Sequence, residues 1–348
     1  MTVATPSRPL SKRRLVIGLL VAAVFLAAVV VGVKVLSVLL ERAPAVPASW
    51  RPPRSLPVST PLSTQRIAFD SDRTGNFEVF TTGIDGSNPV QLTNDRRYDS
   101  WSPRLSPDRR TIVFYRSPAG THDLDHSKVS LWAMSATGRR AVELRPVGLD
   151  GWIFQGHAEW SPDGASLVMF GGSRINPQIH VTDALGQNPR QVTDRPGTNL
   201  DPVFSPDGTR IAFVGCPEAV CHLADYEIYT IGVDGGDVER VTDDDLRDHD
   251  PMWSPDGSEL SWLTSFGGSG VGVWDVQIDD GGVDSPRRLF DDDGITSRPQ
   301  YSPDGAYIYV HRIPPGGSTF QVYRVAVDGS SVTQVTRGQP GNNEYPSP

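Results

Sequence analysis

Side chains able to do chemistry recur in this chain at one repeated position. Ser-Pro-Asp-Gly stands at Ser161–Gly164, Ser205–Gly208, Ser254–Gly257 and Ser302–Gly305. A variant, Ser-Pro-Asp-Arg, begins at Ser106, and the chain ends in Ser347-Pro348. Four residues ahead of each serine stand Ser102, His157, Asp201, Asp250, Arg298 and Asn343. Brought together, two carboxylates, an imidazole and a guanidinium could hold a divalent metal, a charged small molecule or the tip of a peptide. The same groups could equally pair among themselves and leave only a hydrated polar lining.

A second cluster, His122, Asp123, Asp125 and His126, lies in the segment Ser117–Lys128. Imidazoles and carboxylates at such spacing are candidate ligands for a divalent cation. Asp243-Asp244-Asp245 with Asp248, and Asp291-Asp292-Asp293, offer hard oxygens of the kind Ca²⁺ takes. Neither has the spacing of an EF-hand, and charge runs of this kind read as solvated loops. The two cysteines, Cys216 and Cys221, are expected to pair in an oxidising compartment. Closing so short a loop contributes about 2 kcal/mol. Nucleophile-elbow, HExxH, phosphate-loop and dinucleotide motifs do not occur, so no ready-made catalytic site is expected.

The elements that must carry these residues repeat with a period of 44–55 residues, measured between successive Ser-Pro-Asp starts. Each unit begins with a short strand ending in Leu105, Trp160, Phe204, Trp253 or Tyr301 just before the serine. An alternating strand follows, as in Arg210–Val214, then a variable loop. Another alternating strand leads to a turn such as Asp234-Gly235, and a last strand carries a motif such as Arg240-Val241-Thr242. A period of two with turn residues between runs is the β signature. Four strands per unit describe a propeller blade. Asp163, Asp207, Asp256 and Asp304 are therefore assigned to turn chemistry, where Pro presets φ, Asp bonds nearby amides and Gly takes positive φ.

The unit count predicts an all-β, six-bladed propeller over residues 63–348. The first strands, from Arg66, lack a preceding Ser-Pro-Asp-Gly, and the last segment, Asn343–Pro348, has nothing after it. Together they make one composite blade, three strands from one end and one from the other, which removes the open sheet edge. The strand leading into each serine is expected to line a central channel. Ser117–Lys128, Gly215–Asp225 and Pro314–Ser318 would then be long loops on one common face.

Ahead of the ring, Leu15–Val33 is an uncharged run of 19 residues that continues beyond Lys34 to Leu40. At about 1.5 Å per residue it covers about 28 Å, the thickness of a bilayer core. Arg8, Lys12, Arg13 and Arg14 precede it, so residues 1–14 are expected to be cytoplasmic and 15–40 a retained signal-anchor helix. A cleaved signal peptide is the competing reading. Either way the ring lies outside the cytoplasm, at the cell membrane if the anchor is kept. Residues 41–62 carry many prolines and read as an extended stalk. With a net charge of −9 and no basic field, nucleic acid is an unexpected partner.

Ile67–Arg73, Gly75–Phe80, Gln91–Asn94, the Asp-Gly turns and the aromatic–Ser-Pro-Asp-Gly units resemble the TolB-like, WD-like propeller repeats of bacteria. The resemblance covers about residues 66–348. It implies the fold more than the function, because its motifs are mostly turn chemistry. In place of the extra N-terminal α/β domain of TolB, this chain has an apolar segment and a proline-rich stretch. The leading expectation is an extracytoplasmic, membrane-anchored module that binds a protein, peptide or envelope polymer. Alternatives are a metal-dependent polysaccharide lyase or hydrolase that uses the channel, which some propellers of similar repeat type resemble, and an extracellular sensor domain.

Overall fold

The computed structural model describes residues 42–216, 221, 225–265, 274–279, 287–290 and 292–348. Among the described residues 24 strands build six four-stranded antiparallel blades. In chain order the inner strands of blades I to V are Tyr98–Leu105, Phe154–Trp160, Asn199–Phe204, Arg247–Trp253 and Ile295–Tyr301. Blade VI is composite. Its inner strand is Asn343–Ser347, and its other three strands are Arg66–Ser71, Glu78–Gly83 and Val90–Gln91. The terminal strand pairs antiparallel with Arg66–Ser71, with Asp70 opposite Glu344 and Ser71 opposite Asn343. It also lies beside the inner strands of blades V and I, which closes the ring.

The repeated motifs find their uses in the turns. In blade II Ser161 Oγ donates to Asp163 Oδ1 at 2.6 Å, and Ala165 N donates to the same oxygen at 2.9 Å. Ser166 N then donates to Ser161 Oγ at 2.9 Å, and Gly164 takes φ +69°. Blades III, IV and V repeat the serine–aspartate bond. In blades VI, II, III and V the Thr of the final motif fastens two strands. Val79, Ile179, Ile228 and Val322 N donate to Thr93, Thr193, Thr242 and Thr336 Oγ1 at 2.8, 2.9, 2.9 and 3.0 Å. The apolar core lies between blades, as where Val168 and Phe170 of blade II meet Ile211 and Phe213 of blade III. Trp160 Nε1 crosses the same kind of boundary to donate to Arg104 O at 3.1 Å.

Cys216 and Cys221 form a disulfide. The proline-rich segment has neither helix nor regular strand, and part of it is docked rather than free. Ser59 N and Leu62 N donate to Arg110 O and Arg109 O at 3.2 and 2.7 Å, and Thr111 Oγ1 donates to Pro57 O at 2.9 Å. Leu56 packs on the core of blade I. Leu15–Leu40, expected to cross a membrane, lies outside the described residues. Among the described residues no helix is long and apolar enough to cross a membrane.

Candidate functional site

Each inner strand carries one bulge, and the bulge decides which side chains reach the channel. Strand register shifts between Trp101 and Arg104, Gly156 and Glu159, Leu200 and Val203, His249 and Met252, and Ser297 and Gln300. At these bulges Ser102, His157, Asp201, Asp250 and Arg298 hold φ between +48° and +54°, a left-handed conformation rare outside glycine. Proline follows four of the five, and its missing N–H suits a gap in the ladder. Alanine follows His157, and there Ala158 N donates instead to Tyr115 Oη at 2.6 Å.

The sixth bulge corrects one sequence expectation. Tyr345, not Asn343, has the left-handed backbone, with φ +49°, and Pro346 follows it. Ser347-Pro348 is therefore not the start of another Ser-Pro-Asp-Gly, and counting back from Ser347 misplaces the register by two. Asn343 is fully buried one level higher, where its Nδ2 donates to Gln321 Oε1 and Gly341 O, both at 3.1 Å. The signal that could have found Tyr345 is the X-Pro dipeptide it shares with Asp201-Pro202, Asp250-Pro251 and Arg298-Pro299.

The converging groups mostly satisfy one another. Arg298 pairs with Asp250 and lies 3.5 Å from Asp201 Oδ1. Its guanidinium reaches across the channel to both ring nitrogens of His157, at 2.8 and 3.2 Å. His157 Nδ1 is also in contact with Asp201. Burial, with the Arg298 charge beside it, pushes the His157 pKa well below the ordinary histidine value, so the ring is neutral at pH 7. Burial raises Asp250, against the pull of Arg298. Burial disfavours the Arg298 charge, but Asp250 and its neighbours outweigh that and hold the guanidinium more firmly protonated. Ser102 is buried in the wall, its N–H donated to Asp70 Oδ2 at 2.7 Å. A cavity of only ≈20 Å³ remains among these residues, room for about one water. The channel is plugged by its own ion pairs at this level.

Above the plug, the Ser117–Lys128 loop brings half of the second cluster to the same place. Asp123 Oδ1 lies 3.3 Å from His126 Nε2 and 3.9 Å from His157 Nε2. Burial pushes Asp123 up, but the neighbouring His126 and His157 rings and the charge of Arg298 carry it well below the usual carboxylate range. His122 and Asp125 go elsewhere. His122 stacks on Phe77, ring centroids 3.6 Å apart, and burial lowers its pKa to about 4. Asp125 caps a short 3₁₀ turn through Ser127 N and pairs with Lys128 at 3.0 Å. In the acidic stretches Asp243 pairs with Arg240 at 2.8 Å and Asp244 caps Leu246 N at 2.7 Å. Asp291 lies outside the described residues.

Two open spaces lie on the loop face. A recess of ≈230 Å³ at the channel mouth is lined by Arg247, His249, Ile295 and Phe320 together with the ring carboxylates. A larger cleft, ≈690 Å³, separates the Asp72–Phe77 loop of blade VI from the Ala119–Leu124 loop of blade I. Asn76, Phe77, Arg96, Asp99 and His122 line it, and Leu124 stands at its edge 80 % exposed. Of these residues the sequence had offered His122 alone as a candidate ligand, because residues distant in the chain meet there only once the ring closes.

Residues 152–269 match the TolB beta propeller domain family. A TolB homologue of Chlorobium luteolum is 32 % identical over 148 residues, 42 % of this chain and 31 % of the relative. One of Chlorobium chlorochromatii is 27 % identical over 149 residues, 43 % of this chain and 31 % of the relative. These matches span about a third of the curated relatives' own length. TolB of Acinetobacter baumannii superposes with a TM-score of 0.63 at 19 % identity, over 81 % of this chain and 66 % of that one. At that identity the likeness is one of fold.

Proposed function

We propose that this chain, whose ring is a TolB-like β-propeller, is an extracytoplasmic, membrane-anchored binding module that takes a peptide segment of a protein partner on its loop face. The observation that carries this reading is the ≈690 Å³ cleft between blades VI and I. Its half-buried Phe77 and exposed Leu124 sit among Arg96, Asp99 and His122. Phe77 on the wall, Leu124 at the edge and the exposed Arg96 beside them supply the aromatic, aliphatic and arginine contacts on which protein recognition concentrates its binding energy. The plugged channel also favours occupancy of the loop face over threading through the ring. The anchor is supported by the length of the apolar run Leu15–Val33 and by the basic residues ahead of it.

The test is crosslinked capture from native membranes with the full chain, tagged at its N-terminus, as bait. Leu124→Asp and Arg96→Glu should each abolish capture of the protein partner while leaving thermal unfolding unchanged. Capture that persists in both variants, or recovery of an envelope polymer in place of a protein, would count against this reading.

A further inference from the structure

We propose that Asp123, His126 and His157 form a binding site for a divalent transition metal of the zinc type, roofing the plugged channel. This inference does not rest on the cleft-binding reading, because the cleft uses other residues. The three side chains offer one donor atom each, all within 4.8 Å of one another. Two donors on one tetrahedral zinc, each at about 2.0–2.1 Å, stand about 3.4 Å apart. Asp123 Oδ1 and His126 Nε2 are already 3.3 Å apart, and His157 Nε2 at 3.9 Å needs only a small side-chain rotation to complete the set.

The surroundings prepare each donor. The Tyr345 hydroxyl bonds to Asp123 Oδ2, while Oδ1 is buried without a hydrogen bond of good geometry. Asp201 contacts His157 Nδ1, which leaves Nε2 as the nitrogen with the lone pair, the carboxylate–histidine support common around metal ligands. His126 is held edge-to-face against the rings of Phe154 and Phe170, at 5.5 and 5.3 Å. A Cβ at Gly156 would come within 2.8 Å of His126 Nδ1, so the glycine leaves the space this imidazole fills. Two imidazoles and one carboxylate favour Zn²⁺ or Co²⁺ over Ca²⁺ or Mg²⁺. Three protein ligands leave a fourth position for water. Arg298 Nη2, 2.8 Å from His157 Nε2, competes for the same lone pair and would retain Asp250 when displaced. Such a metal would tie a loop of blade I to the inner strand of blade II.

The experiment titrates the chelator-stripped full chain in detergent with Zn²⁺, then with Co²⁺. One equivalent should bind, and Co²⁺ should show the intense visible bands of four-coordination. Asp123→Asn and His126→Gln should each weaken binding roughly tenfold or more. Arg298→Gln should tighten it, a gain that misfolding cannot mimic. Absence of stoichiometric uptake, uptake indifferent to both Asp123→Asn and His126→Gln, or weaker binding by Arg298→Gln would overturn the proposal. Loss of the metal in Glu227→Gln alone would place it instead at the acidic group Glu227, Asp244 and Asp248 and overturn it equally.

Discussion

Asp248 shows how a single buried carboxyl can set a pH dependence. It is fully buried on the inner strand of blade IV, and Thr264 Oγ1 donates to its Oδ1 at 2.6 Å. Burial dominates and pushes its pKa from 3.8 to about 7. The folded protein therefore keeps this proton over a range where the unfolded chain has released it. Its contribution to stability is complete below about pH 4 and is lost as pH rises toward about 7, with a slope of at most about 1.4 kcal/mol per pH unit. Asp248→Asn should remove that slope. Urea unfolding of both proteins at several pH values between about 4 and 8 checks it, and an unchanged slope in the variant would show that the carboxyl titrates normally.

At the scale of the element, the Ser-Pro-Asp-Gly turn is a small network in which aspartate serves the backbone. In blade III Asp207 Oδ1 accepts from Ser205 Oγ at 2.6 Å and Thr209 N at 3.0 Å. Those bonds hold the aspartate below its ordinary pKa, the Ser205 bond foremost. Asp207→Ala should lower the midpoint of chemical denaturation and leave partner capture and metal uptake untouched. A loss of either function without a loss of stability would contradict its assignment to structure. The bulge is the other device repeated in every blade. Six non-glycine residues in left-handed backbone cost energy, of order 1–2 kcal/mol each. The bulges are what bring Arg298 to its ion pair with Asp250 and its hydrogen bond with the neutral His157 inside the ring.

For the whole molecule, stability depends on a seam formed by the two ends of the ring sequence. Asn343–Ser347 pairs with Arg66–Ser71, and Tyr345 N donates to His311 Nδ1 of blade V at 2.8 Å. Asp72 adds two bonds to Asn342, at 2.7 and 2.8 Å. Deleting residues 343–348 exposes the edge of blade VI and the adjoining walls of blades V and I. It should lower the thermal midpoint by roughly 10 °C or more, far more than six terminal residues ordinarily contribute. Calorimetry that finds an unchanged midpoint would mean the ring holds without its closing strand. The proposed cleft lies at this same seam, so the truncation should also abolish partner capture.

The repeat determined the blades. Alternation fixes strands, Pro-Asp-Gly fixes turns, and the complementary defects of the two ends require a composite sixth blade, because each of these signals acts between residues close in sequence or identical in every unit. The pairing of Cys216 with Cys221 was legible for the same reason. Tertiary structure alone decided the site. It filled the channel with Arg298 and its partners, sent His122 and Asp125 away, and carried Asp123 and His126 onto His157. Those contacts join residues tens to hundreds of positions apart, and no local pattern encodes the side-chain directions that only ring closure imposes.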